Sequence, residues 1–271
     1  MNLSGLLQRY DHVIVDLDGT VWIGDEPTPG ARDAVAALRQ AGKGLAFVTN
    51  DPELPTEDYV RKLWRLGFQA SLAEVVTVGG ALQHFLATRG GGSAFVVGPA
   101  AIHRHVSDAG MRVVNRTDLA ARADVVVVAG HLGLTFDELR VATQAALRGA
   151  MLVGAGRDAT FPMPDGPWPG SGAILAAVET AAGRPADVVV GKPERGIFDA
   201  ALDRLGAGRV LVVGDRLDAD VAGAARMRLD AALVLSGVST AEDVAAAGRE
   251  VTAPVAVAPT LAALVLDGGA P

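Results

Sequence analysis

His12-Val13-Ile14-Val15-Asp16-Leu17-Asp18-Gly19-Thr20 reads as a short apolar strand that stops in two carboxylates and a glycine. Alternate side chains of a strand share a face, so Asp16 and Asp18 are expected to point the same way. In open α/β sheets, ligands bind beyond the carboxyl ends of the strands. The pair therefore marks a candidate pocket, with Gly19 allowing a sharp exit. Asp and Gly are also ordinary turn residues, and taken alone this stretch would serve equally well as a turn.

Outward from that strand the chain alternates strand and helix. Helical spacing over Ala31–Ala41 ends at Gly42, and a strand-like run follows at Leu45–Thr49. Tyr59, Leu63 and Leu66 then share one face of a helix over Thr56–Leu66. Further Val-rich runs lie at Val75–Val78, Ala94–Val97, Val125–Ala129, Val188–Val190, Val210–Val213 and Leu233–Leu235. They are continuous rather than alternating, as expected of strands covered on both faces. The pattern predicts an α/β fold with a doubly wound, mostly parallel, Rossmann-like sheet.

Three more of these strands end in polar residues. Leu45–Val48 runs into Thr49-Asn50-Asp51, and Val188–Val190 into Gly191-Lys192-Pro193. Val210–Val213 runs into Gly214-Asp215-Arg216-Leu217-Asp218-Ala219-Asp220. Each has an ordinary explanation alone: a helix N-cap before Pro52, a solvated surface lysine, an acid-rich helix start. Pro193 reads as the first turn of a helix, so Lys192 would face the positive end of a dipole and call for negative charge nearby. As an ordered set, each member after a Val-rich strand, they are poorly explained by coincidence.

Composition narrows the partners. The 271 residues carry 24 basic and 31 acidic side chains, a formal net charge of −7. An acidic chain does not suit a nucleic-acid backbone, so no nucleic-acid partner is expected. Cysteine is absent, which excludes disulfides, thiolate metal ligands and a cysteine nucleophile. Only Lys43, Lys62 and Lys192 are lysines; the other basic residues are arginines. No signal-peptide pattern opens the chain and no apolar run approaches about 20 residues, so a cytoplasmic protein without a membrane partner is expected. His103 and His105 are two apart on a predicted helix and do not form a metal pair. The glycines around 154–156 and 170–172 lack the spacing of a dinucleotide fingerprint.

Asp16-Leu17-Asp18-Gly19-Thr20, Thr49, Lys192 and Gly214-Asp215 through Asp220 resemble, in that order, the four motifs of the haloacid dehalogenase superfamily of phosphohydrolases. The likeness spans nearly the whole chain. Asp158 to Pro162, Pro169-Gly170-Ser171-Gly172 and Gly191-Lys192-Pro193 are similar to its NagD-like, p-nitrophenylphosphatase-like branch. One position departs: Asp51 stands where many relatives carry a second Asn. The resemblance implies a catalytic core at 1–78 and 185–271 with an inserted α/β cap at 79–184. A segment of that length is too long for a loop. In the family such a cap closes over the pocket and selects substrates, and a homodimer through the cap is the assembly it suggests.

The implied activity is Mg²⁺-dependent hydrolysis of a small-molecule phosphate ester through an aspartyl phosphate. The residue matching Asp16 is the nucleophile, which suits a carboxylate already ionised at neutral pH. The residue matching Asp18 protonates the leaving alcohol and then activates water, work that contributes about 10²–10⁴-fold. An acid of this kind needs a raised pKa, which a crowd of carboxylates would supply. Asp16 and a phosphate charge about 4 Å away repel by roughly 4 kcal/mol per charge pair at an effective dielectric near 20. A hard dication with oxygen ligands relieves this. The resemblance nominates Asp16, the Asp18 carbonyl and Asp215 as metal ligands, with Asp220 holding a metal-bound water and Asp218 as its local competitor. Thr49, Asn50 and Lys192 would hold the phosphoryl group, Lys192 as a compact point charge. His131 and Phe161 match cap positions that face the substrate in relatives.

Two other classes share parts of the pattern. A phospho-acceptor signalling module also places Asp, Thr and Lys at strand ends, but its adjacent acid pair is absent here and the chain is long for one. A catalytically silent binding protein of the same fold would have no need of the intact set Asp16, Asp18, Thr49, Lys192 and Asp215.

Overall fold

A computed structural model describes residues 2–163, 166–247 and 253–267, with the side chains at 161–163, 166 and 167 outside the description. In chain order its strands begin with β1 (His12–Asp16), β2 (Trp22–Ile23), β3 (Glu26–Pro27), β4 (Gly44–Thr49) and β5 (Val75–Thr77). There follow β6 (Ser93–Val97), β7 (Arg112–Val113), β8 (Val125–Val128), β9 (Met151–Gly154), β10 (Thr160–Met163) and β11 (Gly166–Pro169). The last are β12 (Val188–Val189), β13 (Val210–Gly214), β14 (Asp230–Val234) and β15 (Ala256–Ala258). Two compact units emerge, one of residues 1–49, 57–76 and 192–271, the other of 50–56 and 77–191.

The first unit is built on a six-stranded sheet in the order β15-β14-β13-β1-β4-β5. β1 runs parallel to both neighbours, with His12 opposite Val210 and Asp16 opposite Val48. β13 with β14, and β14 with β15, are parallel too. Beyond its first residue β1 is buried at every position, and β13 throughout, so both faces of the sheet are covered. That is why the sequence shows continuous Val-rich runs instead of alternation. One face packs Val13, Val15, Phe47 and Val213 with Val35 and Leu38 of the helix Ala31–Gln40 and Leu63 of the helix Thr56–Arg65. From β1 the chain moves to β4 and β5 on one side, and later to β13, β14 and β15 on the other. The winding therefore reverses at β1 and β13, the place where doubly wound sheets bind ligands.

The second unit has its own sheet, β12-β9-β8-β6-β7, with parallel registers throughout. Its core joins Val126, Val128 and Leu152 to Val141 and Ala145 of the helix Phe136–Leu147 and Leu175 of the helix Ser171–Ala182. The expected return to the core at 185 comes too early. Val188 and Val189 pair with Val153 and Gly154 at the edge of this second sheet, and the first unit resumes at Lys192. Parallel strands of either sheet carry the same apolar signature, so the run itself could not say to which it belonged. Residues 50–56 also group with the second unit. Among the described residues, no helix is long and apolar enough to cross a membrane.

Candidate active site

Asp16 closes β1, and Asp215 follows the end of β13, so the two adjacent parallel strands deliver both carboxylates to one sheet edge. Lys192 lies three residues before the helix Arg195–Leu205, whose N-cap is Glu194, so Pro193 precedes that helix instead of opening it. Asp220 sits on a wide π-type turn, Leu217–Val221, that leads into the helix Ala222–Arg226. Widened turns of this kind are rare and recur at functional sites. All four residues are buried, none more than 6% exposed. Charges at that depth persist only when paired.

The pairing is specific. Lys192 Nζ donates to Asp16 Oδ1, and to Asp220 Oδ1 at 2.8 Å. The backbone N–H of Arg216 donates to Asp220 Oδ2 at 3.1 Å. Asp215 Oδ2 accepts from the Val238 N–H at 2.6 Å, while its Oδ1 is buried and has no hydrogen-bond partner among the described residues. Burial works against the Lys192 ammonium, but Asp16 and then Asp220 overcome it and hold its pKa above the ordinary lysine value. Burial pushes the Asp16 carboxyl up, as do the charges of Asp220 and Asp215, against the pull of Lys192. Burial and then Asp220 likewise push Asp215 up to about 6.

One oxygen from each of Asp16, Asp215 and Asp220 lies within 4.8 Å of the others. One ammonium among three carboxylates leaves two negative charges to be balanced. Those charges, the all-oxygen donor set and the orphaned Asp215 Oδ1 fit a hard divalent cation. The backbone is fitted around Asp215 as well: a Cβ at Gly19 or at Gly237 would collide with its carboxylate.

Other expected residues are placed differently. The carboxylate of Asp18 is not a member of the cluster; it is exposed, and its Oδ1 accepts the indole N–H of Trp22 at 2.7 Å. The crowd of carboxylates therefore surrounds Asp16, not Asp18. The strand ends at Asp16, which releases Asp18 from the alternation that would have aligned the pair. Asp218 is exposed and ion-paired with Arg216 at 2.9 Å, which leaves Asp220 as the inward acid. Thr49 is buried at the end of β4. The adjacent helix starts only at Thr56, so neither Thr49 nor Asn50 is its N-cap. Within the second unit, Asn50 Nδ2 donates to Asp158 Oδ2 at 3.0 Å. His131 Nε2 lies 3.1 Å from Glu138 Oε1, and Glu138 Oε2 caps the helix at Thr135. Phe161 lies on β10, and its side chain falls outside the described residues.

Trp22 and Glu138 have no part in the motifs, and Asp158 enters them only as the first residue of a branch-specific stretch. Only Glu138 carried a usable signal, the Thr-x-x-Glu spacing of a capping box at Thr135. The contacts of Trp22 with Asp18 and of Asp158 with Asn50 are ones that no spacing announces.

Family models place the chain among known proteins. A model described as haloacid dehalogenase-like hydrolase matches residues 13–112, and a second HAD-like hydrolase model matches 189–264. The D-glycerol 3-phosphate phosphatase of Mycobacterium tuberculosis is 36% identical over 243 residues, 89% of this chain and 67% of that protein. The structure of a glycerol phosphate phosphatase from Mycobacterium tuberculosis in complex with magnesium superposes with a TM-score of 0.88 at 34% identity, covering 98% of this chain and 79% of that one. NagD from Escherichia coli K-12 superposes with a TM-score of 0.82 at 27% identity, covering 93% and 97%.

Proposed function

The chain belongs to the haloacid dehalogenase-like hydrolases and is a phosphoric monoester hydrolase of the NagD-like branch, and on that premise we propose that it cleaves a small phosphate ester by a Mg²⁺-dependent route through an aspartyl phosphate on Asp16. The observation that carries the proposal is the buried Lys192 bridging Asp16 and Asp220 beside the unpartnered oxygen of Asp215. Asp16, Asp215 and Asp220 would hold the cation, the first two as ligands, Asp220 through a bound water, with the Asp18 carbonyl completing the protein's share. When bound, the ion supplies positive charge to a phosphate that the acidic site would otherwise repel.

The protein's own residues do the rest. An Asp16 carboxylate oxygen attacks phosphorus and the bond to the ester oxygen breaks. Asp18 gives the departing alcohol its proton. Asp18, now ionised, takes a proton from water as that water attacks phosphorus. The bond to Asp16 breaks, releasing inorganic phosphate and restoring the carboxylate. Lys192 keeps one Asp16 oxygen oriented and neutralises charge on the transferring group. Thr49 donates its hydroxyl to a phosphoryl oxygen, as do backbone N–H groups after Asp16 and near Asn50. Glycerol phosphates and similar small phosphomonoesters are the substrate class, and selection among them belongs to the second unit through His131 and Phe161.

The test is turnover of p-nitrophenyl phosphate with Mg²⁺, with EDTA, and by Asp16→Asn. Activity that requires the metal and is lost by orders of magnitude in the variant is expected. Equal turnover under all three conditions would refute the mechanism. A panel of phosphomonoesters ranked by kcat/KM then identifies the substrate.

A further inference from the structure

Trp22 and Lys62 form a chain of contacts that ends on Asp18. The turn after β1 folds back on itself: the Trp22 N–H donates to the Leu17 carbonyl at 3.1 Å, and the Gly19 N–H to the Trp22 carbonyl at 2.7 Å. The fully buried Trp22 ring is thereby locked beside an exposed carboxylate, with its indole N–H on Asp18 Oδ1. Over the ring stands the ammonium of Lys62, 4.4 Å from the centroid. The same ammonium lies 3.8 Å from Asp25, which Arg65 also holds, at 2.9 Å. Lys62 is one of only three lysines in the chain, and the site described above makes no use of it.

We propose that Trp22, backed by Lys62, is the positioning residue of the acid–base Asp18; the inference rests on the general-acid reading of Asp18. An indole nitrogen is a donor only. Oδ1 therefore cannot carry a proton toward Trp22, and the exchangeable proton of Asp18 is kept on Oδ2. The carboxyl plane is fixed at the same time, by a donor whose own position is set by a buried ring and two backbone hydrogen bonds. A cation on the ring face is attracted by the π-electrons, and polarised partners strengthen one another's hydrogen bonds. Lys62 makes the indole N–H a firmer donor without touching the carboxylate.

The experiment compares kcat/KM for an alkyl ester, glycerol 3-phosphate, with that for p-nitrophenyl phosphate. The alkoxide must be protonated to leave, whereas the nitrophenolate leaves unaided, so the ratio of the two constants reads the general acid. Asp18→Asn is expected to lower the ratio by about 10²-fold or more. Trp22→Phe keeps a ring, removes the donor, and is expected to lower it about tenfold, the scale of one hydrogen bond to a charged group. In the Asp18→Asn background, Trp22→Phe should leave the ratio unchanged. Lys62→Met should lower the ratio about threefold and Lys62→Arg should restore it.

A purely structural Trp22 would depress both substrates alike, and that result overturns the proposal, as does an effect that adds in full to Asp18→Asn. If Asp18→Asn itself leaves the ratio unchanged, the general-acid reading falls and the proposal with it. If Trp22→Phe does not fold, the Lys62 pair decides: an unchanged ratio in Lys62→Met overturns the coupling.

Discussion

Lys192 illustrates how a single side chain answers to its surroundings. Its ammonium must reach Asp16 and Asp220 at once from a buried position. A guanidinium is larger and planar, and it spreads its charge. Lys192→Arg is therefore expected to lower kcat by about 10²-fold or more, the scale of one lost electrostatic donor in a water-excluded site. Near-normal turnover would show that the lysine is not at the reacting group. Asp215 gives a second prediction, read without activity. Its pKa is raised by burial and by Asp220 from 3.8 to about 6. Between those values the folded state retains a proton that the unfolded chain has released, so stability falls as pH rises through that window. In EDTA, thermal unfolding between pH 4 and 6 should show this loss, and Asp215→Asn should flatten it.

At the scale of elements, the turn Leu217–Val221 sorts two acids that are two residues apart in sequence. Asp218 is left with Arg216 at the surface, and Asp220 is turned inward to Lys192. Asp218→Asn should leave Mg²⁺ affinity within about twofold, because an exposed ion pair contributes little. Asp220→Asn should weaken Mg²⁺ binding by about tenfold or more, since it removes a charge where screening is low. Titration calorimetry distinguishes the two. The helix Phe136–Leu147 offers a structural counterpart. Its capping box joins Thr135 to Glu138, and Glu138 also holds His131. Thr135→Ala is expected to cost about 1 kcal/mol in denaturant unfolding, the usual worth of an N-cap.

For the molecule as a whole, the two units divide most of the proposed roles between them. Asp16, Asp18, Thr49, Lys192, Asp215 and Asp220 all belong to the first unit; His131 belongs to the second, as does Asn50 of the proposed phosphoryl-binding set. His131→Ala should therefore change the ranking of phosphomonoesters by kcat/KM while leaving p-nitrophenyl phosphate within a few-fold of the parent. An unchanged ranking would remove His131 from selection. The acidic balance also acquires a location. Part of the −7 is concentrated in the cluster Asp16, Asp215 and Asp220, where it suits a cation rather than hindering an anionic substrate.

Most of the buried parallel strands were legible because burial on both faces leaves an uninterrupted apolar run, whereas β9 and short strands such as β2, β3 and β7 offered too little of one; the polar residues at four strand ends were legible because they break it. Asp16, Thr49, Lys192 and Asp215 could be named from that pattern and from their family likeness. What the linear chain lacks is any record of which distant residues meet. The edge pairing of Val188 with Val153, the inward turn of Asp220 and the outward turn of Asp218, the departure of Asp18 from the carboxylate cluster and its contact with Trp22 are visible only in three dimensions. Each depends on a sheet edge, a turn geometry or a ring orientation that forms only after packing. Periodicity is a local property of the sequence; the company a side chain keeps is a property of the folded molecule.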